Sequence, residues 1–241
     1  MNIYGLIGKN IAYSFSKNYF INKFKNEGIK NSQYINFDID NLSELNNIFN
    51  QNNQGYNVTI PYKEAVISYL DALDNHAKQI GAVNTIQVHK GQKKGFNTDW
   101  IGFKKSIEPL LQLHHTKALI LGSGGASKAV IYALKQLQIT TAVVSRTKGD
   151  FTYQQLDEEL LKEHTIIINT TPLGTFPETS LAPVIPYQFI SKQHLVYDLV
   201  YNPEETLFLK KCRKNGAEIK NGLQMLEIQA EEAWKIWNSG R

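Results

Sequence analysis

The sequence is poor in cysteine and has no long apolar run. Its 241 residues include a single cysteine, Cys212, which excludes a disulfide within the chain and a metal cage of cysteine thiolates. The longest apolar runs, such as ALILG and TIIIN, are strand-sized and fall far short of the roughly 20 residues of a membrane span. The first ten residues, MNIYGLIGKN, lack the order of a signal peptide. We therefore predict a cytoplasmic protein.

A strong charge of one sign is also lacking. The 26 basic and 22 acidic side chains leave a formal net charge of +4, and the lysines fall in scattered pairs. Without a basic stripe and interleaved aromatic residues, the electrostatic footprint of a nucleic-acid-binding protein is missing. The six histidines show no metal-ligand spacing, so we predict no metal site. Small anionic molecules are the expected partners.

Segments typical of strands and helices alternate along the first hundred residues. NIYGLIG, SQYINFDI and YNVTI have the composition and alternation of strands. The stretch 16–28 predicts a helix that Gly28 closes as the residue just past its end. Further helices are predicted over 41–51, 63–70 and 74–81. Residues 84–99 predict two short strands around a glycine-containing turn.

A second alternating series follows residue 98. It predicts a helix over 98–113, then strand, glycine turn, helix and strand over 117–147, and further strands in HTIIINTTP and HLVYDLVYNP. Two helices around AEIKNG end the chain. Strands alternating with helices are typical of α/β folds with parallel sheets. We predict two lobes, an N-terminal α/β domain and a Rossmann-like domain with a parallel sheet.

The stretch LILGSGGASKAV has the form of a dinucleotide-binding turn. A strand leads into Gly122, Gly124 and Gly125, and a helical run starts near Ala126. Glycines allow a tight turn and close approach to a pyrophosphate, whose charge a helix N-terminus stabilises. The third fingerprint position is Ser127 instead of glycine. The alternative is a tight turn without a ligand, but the flanking strands and helix favour nucleotide binding.

The end of the next strand indicates which nucleotide is bound. An NAD site would place an acidic residue here to bind the ribose hydroxyls. The chain instead has Ser145, Arg146, Thr147 and Lys148. A guanidinium and nearby hydroxyls suit a 2′-phosphate, so NADP(H) is predicted in preference to NAD. The alternative is a solvated arginine on a loop.

Several polar residues of the first lobe stand where strands end. In GYNVTIPYK, the alternation stops at Pro61, which leaves Thr59 near the end of the strand and Lys63 beyond it; Asn84 and Asp99 close later segments. Ligands of parallel α/β sheets bind outside the carboxyl ends of the strands, which favours one shared site. Taken singly, Asn84 is also explained by a turn and Asp99 by a helix cap.

Two serines precede the first helix. If AYSFSK is extended, Ser14 and Ser16 point to the same side, so both hydroxyls can donate to one carboxylate. The alternative is that Ser16 caps a helix beginning at Lys17. The two interpretations are compatible.

Seven motifs together resemble the shikimate dehydrogenase family: GYNVTIPYK, GAVNT, NTDWIG, GSGGAS, NTTPLG, YDLVYNP and GLQMLEIQA. They span nearly the whole chain. The resemblance implies NADPH-dependent reduction of 3-dehydroshikimate between a substrate lobe and a nucleotide lobe. It implies a substrate-binding and catalytic domain over 1–98, an NADP-binding domain over 99–222, and a final helix, 223–241, packed back on the first domain. A monomer or a homodimer is expected.

The resemblance also implies roles for individual residues. Lys63 and Asp99 would be the catalytic pair, and Ser14 and Ser16 would hold the substrate carboxylate. The residues surrounding the substrate ring would be Thr59, Lys63, Asn84, Asp99 and Gln229. The cofactor pyrophosphate would lie on Gly122, Ser123, Gly124, Gly125 and Ala126, and the adenosine phosphate on Ser145, Arg146, Thr147 and Lys148. The nicotinamide half would adjoin Thr170, Leu199, Tyr201 and Gly222.

The chain departs from the family pattern in two places. Tyr13 and Lys17 flank the serines where the family commonly has histidine and proline, and Ser145 replaces an asparagine. Three alternatives stay open: a relative using quinate or NAD, a methylenetetrahydrofolate dehydrogenase, and a nonenzymatic NADP sensor. The second would need a pterin-stacking aromatic that we cannot place in the first lobe. The third would predict a degraded substrate lobe, whereas Lys63, Asn84, Asp99 and Gln229 are all present.

Overall fold

The chain divides into two compact units. In the computed structural model, which describes residues 1–12, 14–49, 51 and 53–239, the first unit comprises Met1–Thr98 and the chain from Gln229 onward, and the second comprises Asp99–Ile228. Tyr13, noted above, lies outside the described residues, as do the last two positions of the predicted helix 223–241. Within the described part of the chain, no helix has the length and apolar character needed to cross a membrane.

The first unit contains six strands and short helices, most of them near their predicted positions. In chain order these are β1 (Asn2–Gly8), α1 (Phe15–Asn26), β2 (Ser32–Asp38), α2 (Leu45–Phe49), β3 (Gly55–Val58), β4 (Ala72–Leu73), α3 (Asn75–Ile80), β5 (Thr85–His89) and β6 (Gln92–Phe96). The strand order is β2-β1-β3-β5-β6-β4. β1 is parallel to β2 and β3, whereas β5 is antiparallel to both β3 and β6. The sheet is therefore mixed, not purely parallel.

The second unit is an α/β unit with a parallel sheet, as predicted. Its elements are α4 (Asp99–Ile107), β7 (Lys117–Leu121), α5 (Gly125–Gln136), β8 (Thr140–Val144), α6 (Glu158–Glu163), β9 (Ile166–Asn169), β10 (Leu195–Asp198), α7 (Leu207–Lys214), β11 (Glu218–Lys220) and α8 (Leu223–Asn238), whose later part belongs to the first unit. The strand order is β11-β10-β9-β7-β8. Every residue of β9 and β10 is buried, as expected for parallel strands covered on both faces.

Several predicted helices are shorter than expected, for local reasons. The segment 41–51 forms a 3-10 turn, Leu42–Glu44, which begins with a capping box between Asn41 and Glu44, and then α2. The segment 63–70 forms only a 3-10 helix, Ala65–Tyr69. Helix α4 gives way to a 3-10 turn at Glu108, because Pro109 disfavours α-helical backbone in the residue before it.

Candidate active site

The carboxyl ends of four parallel strands form one level edge in the second unit. Leu121 of β7 pairs with Val144 of β8 and with Asn169 of β9, and Asn169 pairs with Asp198 of β10. The residues that follow these strands are Gly122, Ser145, Thr170 and Leu199, all predicted cofactor contacts. Chain order reverses between β7 and β9. Such a switch point is where open α/β sheets bind ligands.

The turn after β7 requires glycine. Gly122 has φ +109°, and a Cβ there would lie 2.9 Å from both Thr170 Oγ1 and Thr171 Cγ2. Thr170 fixes this turn, since its backbone N–H and its hydroxyl each donate to the carbonyl of Leu121 at 2.9 Å. The predicted turn and the predicted neighbour Thr170 are therefore in contact.

The turn leads into the N-terminus of α5. This 12-residue helix begins at Gly125, and Gly124 at the N-cap supplies no side-chain hydrogen bond to the first turn. Ser127, at the third fingerprint position, is buried and donates its hydroxyl to the Gly124 carbonyl at 2.6 Å. A serine thus fits where the fingerprint has glycine. Backbone N–H groups at Gly125 and Ala126 stand where an anion is stabilised.

Ser145 organises the loop after β8. Its hydroxyl lies 3.2 Å from Ser123 Oγ and accepts from the backbone N–H groups of Thr147 and Lys148 at 3.5 and 3.4 Å. Side-chain bonds of this kind are how serine and asparagine shape turns. Ser145 therefore shapes the turn that carries Arg146, Thr147 and Lys148. Arg146, Thr147 and Lys148 are exposed on it.

A pocket of about 320 Å³ opens between this loop and α5. Its lining comprises Ser123, Ser127, Lys128, Ile131, Val143, Lys148, Gly149 and Asp150. Apolar walls with a few convergent polar groups are typical of small-molecule sites. Two residues of this lining were not predicted from the sequence: Lys128, which lies within the stretch GGASK, and Asp150, whose Oδ2 accepts from the Val143 N–H at 2.7 Å.

Gly222 lies against the segment that follows β10. A Cβ at this position would lie 2.1 Å from the Leu199 carbonyl oxygen, and the Gly222 N–H donates to the Val200 carbonyl at 3.2 Å. Close backbone approach therefore accounts for glycine here. Tyr201 is half-buried, and burial raises its pKa. The contacts of Thr170, Leu199, Tyr201 and Gly222 with a nicotinamide stay a prediction.

A buried carboxylate, Asp198, holds the segment after β10 in place and was not predicted from the sequence. Asp198 accepts hydrogen bonds from Asn169 Nδ2 at 2.9 Å, from the Val200 N–H at 3.0 Å and from the Thr206 hydroxyl at 2.6 Å. Burial raises its pKa to about 6 in spite of these three donors. One signal for this contact was present in the sequence: Asn169 and Asp198 are polar residues that begin the stretches NTTPLG and DLVYNP, where the apolar strands end.

Replacing Asp198 by asparagine should change how stability depends on pH. Because the folded-state pKa is about 6 and the ordinary value 3.8, the native state binds more protons between these values and stability falls as pH rises. The total loss of wild-type stability from this group is about 3 kcal/mol, at about 1.36 kcal/mol per pKa unit. The difference in unfolding free energy between Asp198→Asn and wild type should therefore shift by about 2 kcal/mol in favour of the variant as the pH is raised from 4.5 to 7.5. Urea denaturation at both pH values measures this; a pH-independent difference would contradict it.

Three motifs of the first unit meet at the ends of β3, β5 and β6. The Val83 N–H donates to the Lys63 carbonyl at 2.7 Å, and the Val58 N–H donates to the Asn84 carbonyl at 2.8 Å. Asn97 Nδ2 donates to the Ala82 carbonyl at 3.0 Å. These bonds bring the motifs GYNVTIPYK and GAVNT and the residue Asn97 together within the first unit; a shared site there stays a prediction. Strand β3 ends at Val58, two residues earlier than predicted.

Asn84 is the most connected side chain of this group. Its Oδ1 accepts from the Thr98 N–H at 2.7 Å, and its Nδ2 donates to Thr98 Oγ1 at 3.0 Å and to Gln229 Oε1 at 3.3 Å. Asn84 and Gln229 are both buried. Two predicted substrate contacts separated by 145 residues are therefore in direct contact. Thr59 and Lys63, which are half-buried, follow strand β3.

The serine stretch differs from both of its predicted conformations. Helix α1 begins at Phe15 with Ser14 as N-cap, so the stretch is not extended through Ser16. Ser16 is a buried residue of the first turn, which makes the predicted N-cap role of Ser16 before Lys17 wrong. Ser14 makes no side-chain cap bond. Both serines nevertheless lie at the N-terminus of a 12-residue helix, where a carboxylate is stabilised.

Lys63 and Asp99 belong to different units. Asp99 is the first residue of α4 and is buried. It directly follows Thr98, whose N–H donates to Asn84 Oδ1. Lys63 is held by the bond between its carbonyl and Val83. The pairing of the two side chains stays a prediction. Within the described residues, no three His, Cys, Asp or Glu side chains are grouped to hold a metal ion.

Similarity to known proteins extends along the whole chain. Residues 6–86 match the shikimate dehydrogenase substrate binding domain. A shikimate dehydrogenase (NADP(+)) of Methanococcus maripaludis strain C6 is 40% identical over 252 residues, covering 97% of this chain and 90% of the relative. The chain belongs to the shikimate dehydrogenase family, which confirms the resemblance seen in the motifs.

Solved structures of the family share the fold. The shikimate dehydrogenase of Aquifex aeolicus superposes with a TM-score of 0.88 at 37% identity, covering 99% of this chain and 92% of the other. The enzyme of Thermus thermophilus, in complex with NADP(H) and shikimate, gives 0.86 at 29% identity, with 99% and 94% covered. These similarities confirm the predicted α/β fold class.

Proposed function

We propose that this protein is an NADP-dependent shikimate dehydrogenase. It catalyses the reversible reduction of 3-dehydroshikimate to shikimate, a reaction of chorismate and aromatic amino acid biosynthesis. The observation that carries the proposal is the similarity to a curated NADP-dependent relative along 97% of the chain. The function is that of a cytoplasmic enzyme acting on small molecules as a monomer or homodimer.

The proposed substrate site lies in the first unit. Ser14 and Ser16, at the N-terminus of α1, hold the substrate carboxylate, because backbone N–H groups and hydroxyls there favour an anion. Hydroxyl and amide groups of Thr59, Asn84 and Gln229 bind the ring hydroxyls. The hydrogen bonds around Asn84 fix the Asn84 and Gln229 amides before substrate arrives.

Lys63 and Asp99 perform the proton chemistry. In the reduction direction, the Lys63 ammonium donates to the carbonyl oxygen and stabilises the developing alkoxide. The Asp99 carboxylate is the partner of this ammonium in the proposed pair. In the oxidation direction the same pair accepts the proton from the ring hydroxyl.

The second unit fits NADP(H). Gly122 to Ala126 would hold the pyrophosphate, since the turn admits only glycine at Gly122 and the start of α5 supplies backbone donors. Arg146, Thr147 and Lys148 would meet the 2′-phosphate. Lys128 would add a second lysine beside Lys148 in the pocket. Bound NADPH supplies the hydride.

An absorbance assay tests the proposed function. With 3-dehydroshikimate, the absorbance of NADPH should decrease, and NADH should be used far less efficiently. In the reverse direction, shikimate with NADP(+) should be oxidised faster than quinate. Turnover of quinate with NAD at a higher kcat/KM would identify the quinate-using alternative. Tight NADP(H) binding without turnover of either acid would favour the sensor.

A further inference from the structure

A buried chain of polar side chains crosses the sheet of the first unit and ends at Asn84 and Gln229. The hydroxyl of Tyr34 on β2 donates to Asn57 Oδ1 on β3 at 2.7 Å. Strand β1 lies between β2 and β3 in the sheet, so this bond links two strands that are not neighbours. Asn57 Nδ2 lies 3.4 Å from Thr85 Oγ1, which donates to Asn84 Oδ1 at 3.1 Å. All five side chains are buried, so the chain of hydrogen bonds is shielded from water.

Backbone groups fix which way each amide in this chain points. Asn57 Nδ2 faces the Asn84 carbonyl at 3.3 Å, and a carbonyl can only accept, so Asn57 Oδ1 faces Tyr34. Asn84 Oδ1 accepts from the Thr98 N–H at 2.7 Å, and a backbone N–H can only donate. Asn84 Nδ2 therefore faces Gln229 Oε1, which leaves the Gln229 amide nitrogen on the side away from Asn84.

The hydrogen bonds all run in one direction. Tyr34 donates to Asn57, Asn57 to Thr85, Thr85 to Asn84, and Asn84 to Gln229. Hydrogen bonds in series polarise one another, and a buried network that is fully satisfied specifies one arrangement. The first donor of the series is the phenol of Tyr34. Its loss leaves Asn57 Oδ1 without that donor.

Tyr34 is itself rigidly placed. Its ring stacks on Phe20 of α1, with centroids 4.6 Å apart and an interplanar angle of 14°. Burial raises the pKa of Tyr34 well above its ordinary value, and the neighbouring Ser16 side chain opposes this effect. The same phenol therefore adjoins Ser16, at the start of α1, and the chain of amides that ends at Gln229.

We propose that Tyr34 is a positioning residue for substrate binding, which acts through Asn57 and Thr85 to orient the amides of Asn84 and Gln229. The inference rests on the proposed function for the identity of the substrate. Tyr34 is not a catalytic residue, since it acts only through its neighbours. Tyr34 lies on β2, 23 residues before Asn57 in sequence, and belongs to none of the seven motifs.

The test replaces Tyr34 by phenylalanine, which keeps the stacked ring and removes one hydroxyl. We expect the KM for 3-dehydroshikimate and the dissociation constant for shikimate, measured by calorimetry without cofactor, to rise at least about fivefold, while the KM for NADPH stays within about twofold. A fivefold change corresponds to about 1 kcal/mol. Side-chain amide resonances of Asn57, Asn84 and Gln229 in ¹⁵N spectra should shift.

Tyr56→Phe is the matched control. Tyr56 is equally buried on β3, but its hydroxyl donates to the Ile48 carbonyl, outside the chain from Tyr34 to Gln229. This variant should lose similar stability and keep wild-type shikimate affinity. Equal affinities in the two variants would overturn the proposal, because a general loss of stability would then explain both.

The two measurements separate this inference from the proposed function. If the wild-type protein neither binds nor turns over shikimate, the proposed function is wrong, and the amide resonances alone decide whether Tyr34 orders Asn84 and Gln229. If wild type is active and Tyr34→Phe changes neither the affinity nor the resonances, the proposed function stands and the role of Tyr34 is rejected.

Discussion

Replacing Lys63 by alanine should lower kcat by about 10²-fold or more, the usual scale for loss of a general acid or base. The KM for 3-dehydroshikimate should change little, because an interaction made mainly in the transition state affects kcat and kcat/KM together. The substitution should preserve the fold of the segment, since Lys63 contacts Val83 through its backbone carbonyl. Steady-state kinetics at saturating NADPH measures both constants.

Lys78→Ala is the matched control for this experiment. Lys78 is an exposed lysine of α3 in the same unit, and its removal changes the net charge equally. Its kinetic constants should equal those of wild type. Near-normal turnover of Lys63→Ala would remove Lys63 from the chemistry, whereas a large rise in KM at unchanged kcat would make it a binding residue.

The catalytic pairing also predicts how Asp99 acts. In the proposed pairing, the Lys63 ammonium donates to the carbonyl oxygen and the Asp99 carboxylate is its partner. The pair then acts as a unit, and effects of residues that act as a unit are not additive. Kinetics of Asp99→Asn alone and combined with Lys63→Ala would reveal this, because the double variant should be little worse than Lys63→Ala.

Local chemistry made much of the nucleotide side predictable from sequence. Gly122 is required by its own backbone angle and by Thr170 beside it, so the glycine run reports the turn directly. The predicted residues Gly122, Ser145, Thr170 and Leu199 come together because each follows the end of a parallel strand. Strand periodicity and topology are enough to predict this edge.

Contacts between distant segments were not predictable in the same way. Asp198 reads as an ordinary strand-ending residue, and only its contacts with Asn169 and Thr206 reveal a buried carboxylate. Tyr34 reads as an apolar strand residue until its hydroxyl is seen on Asn57. No periodicity encodes such pairs, because each depends on which strands are neighbours in the sheet.

The serine stretch shows a different limit. Capping preference predicted Ser16 as a possible N-cap before Lys17, but serine is equally favoured as the N-cap at position 14. The structure selects Ser14 and buries Ser16 in the first turn. The two starts are equivalent by local preference alone, and only the folded helix, which also packs on β2 through the stacking of Phe20 on Tyr34, distinguishes them.

Replacing Arg146 by alanine should raise the KM for NADPH by about 10- to 100-fold, because a hydrogen bond to a charged group contributes roughly 1.5–3 kcal/mol. The KM for NADH, which lacks the 2′-phosphate, should change less than about twofold. Arg146 is exposed, so the variant should keep its stability. Steady-state kinetics with each cofactor provides the ratio.

Arg213→Ala is the control for charge. Arg213 lies on α7 in the same unit and pairs with Glu205, so its loss removes one guanidinium without touching the loop after β8. It should leave the preference for NADPH unchanged. An equal rise in KM for both cofactors in Arg146→Ala would mean that Arg146 binds a part that they share. The 2′-phosphate would then have to be recognised by Lys148 and Lys128, the two lysines of the pocket.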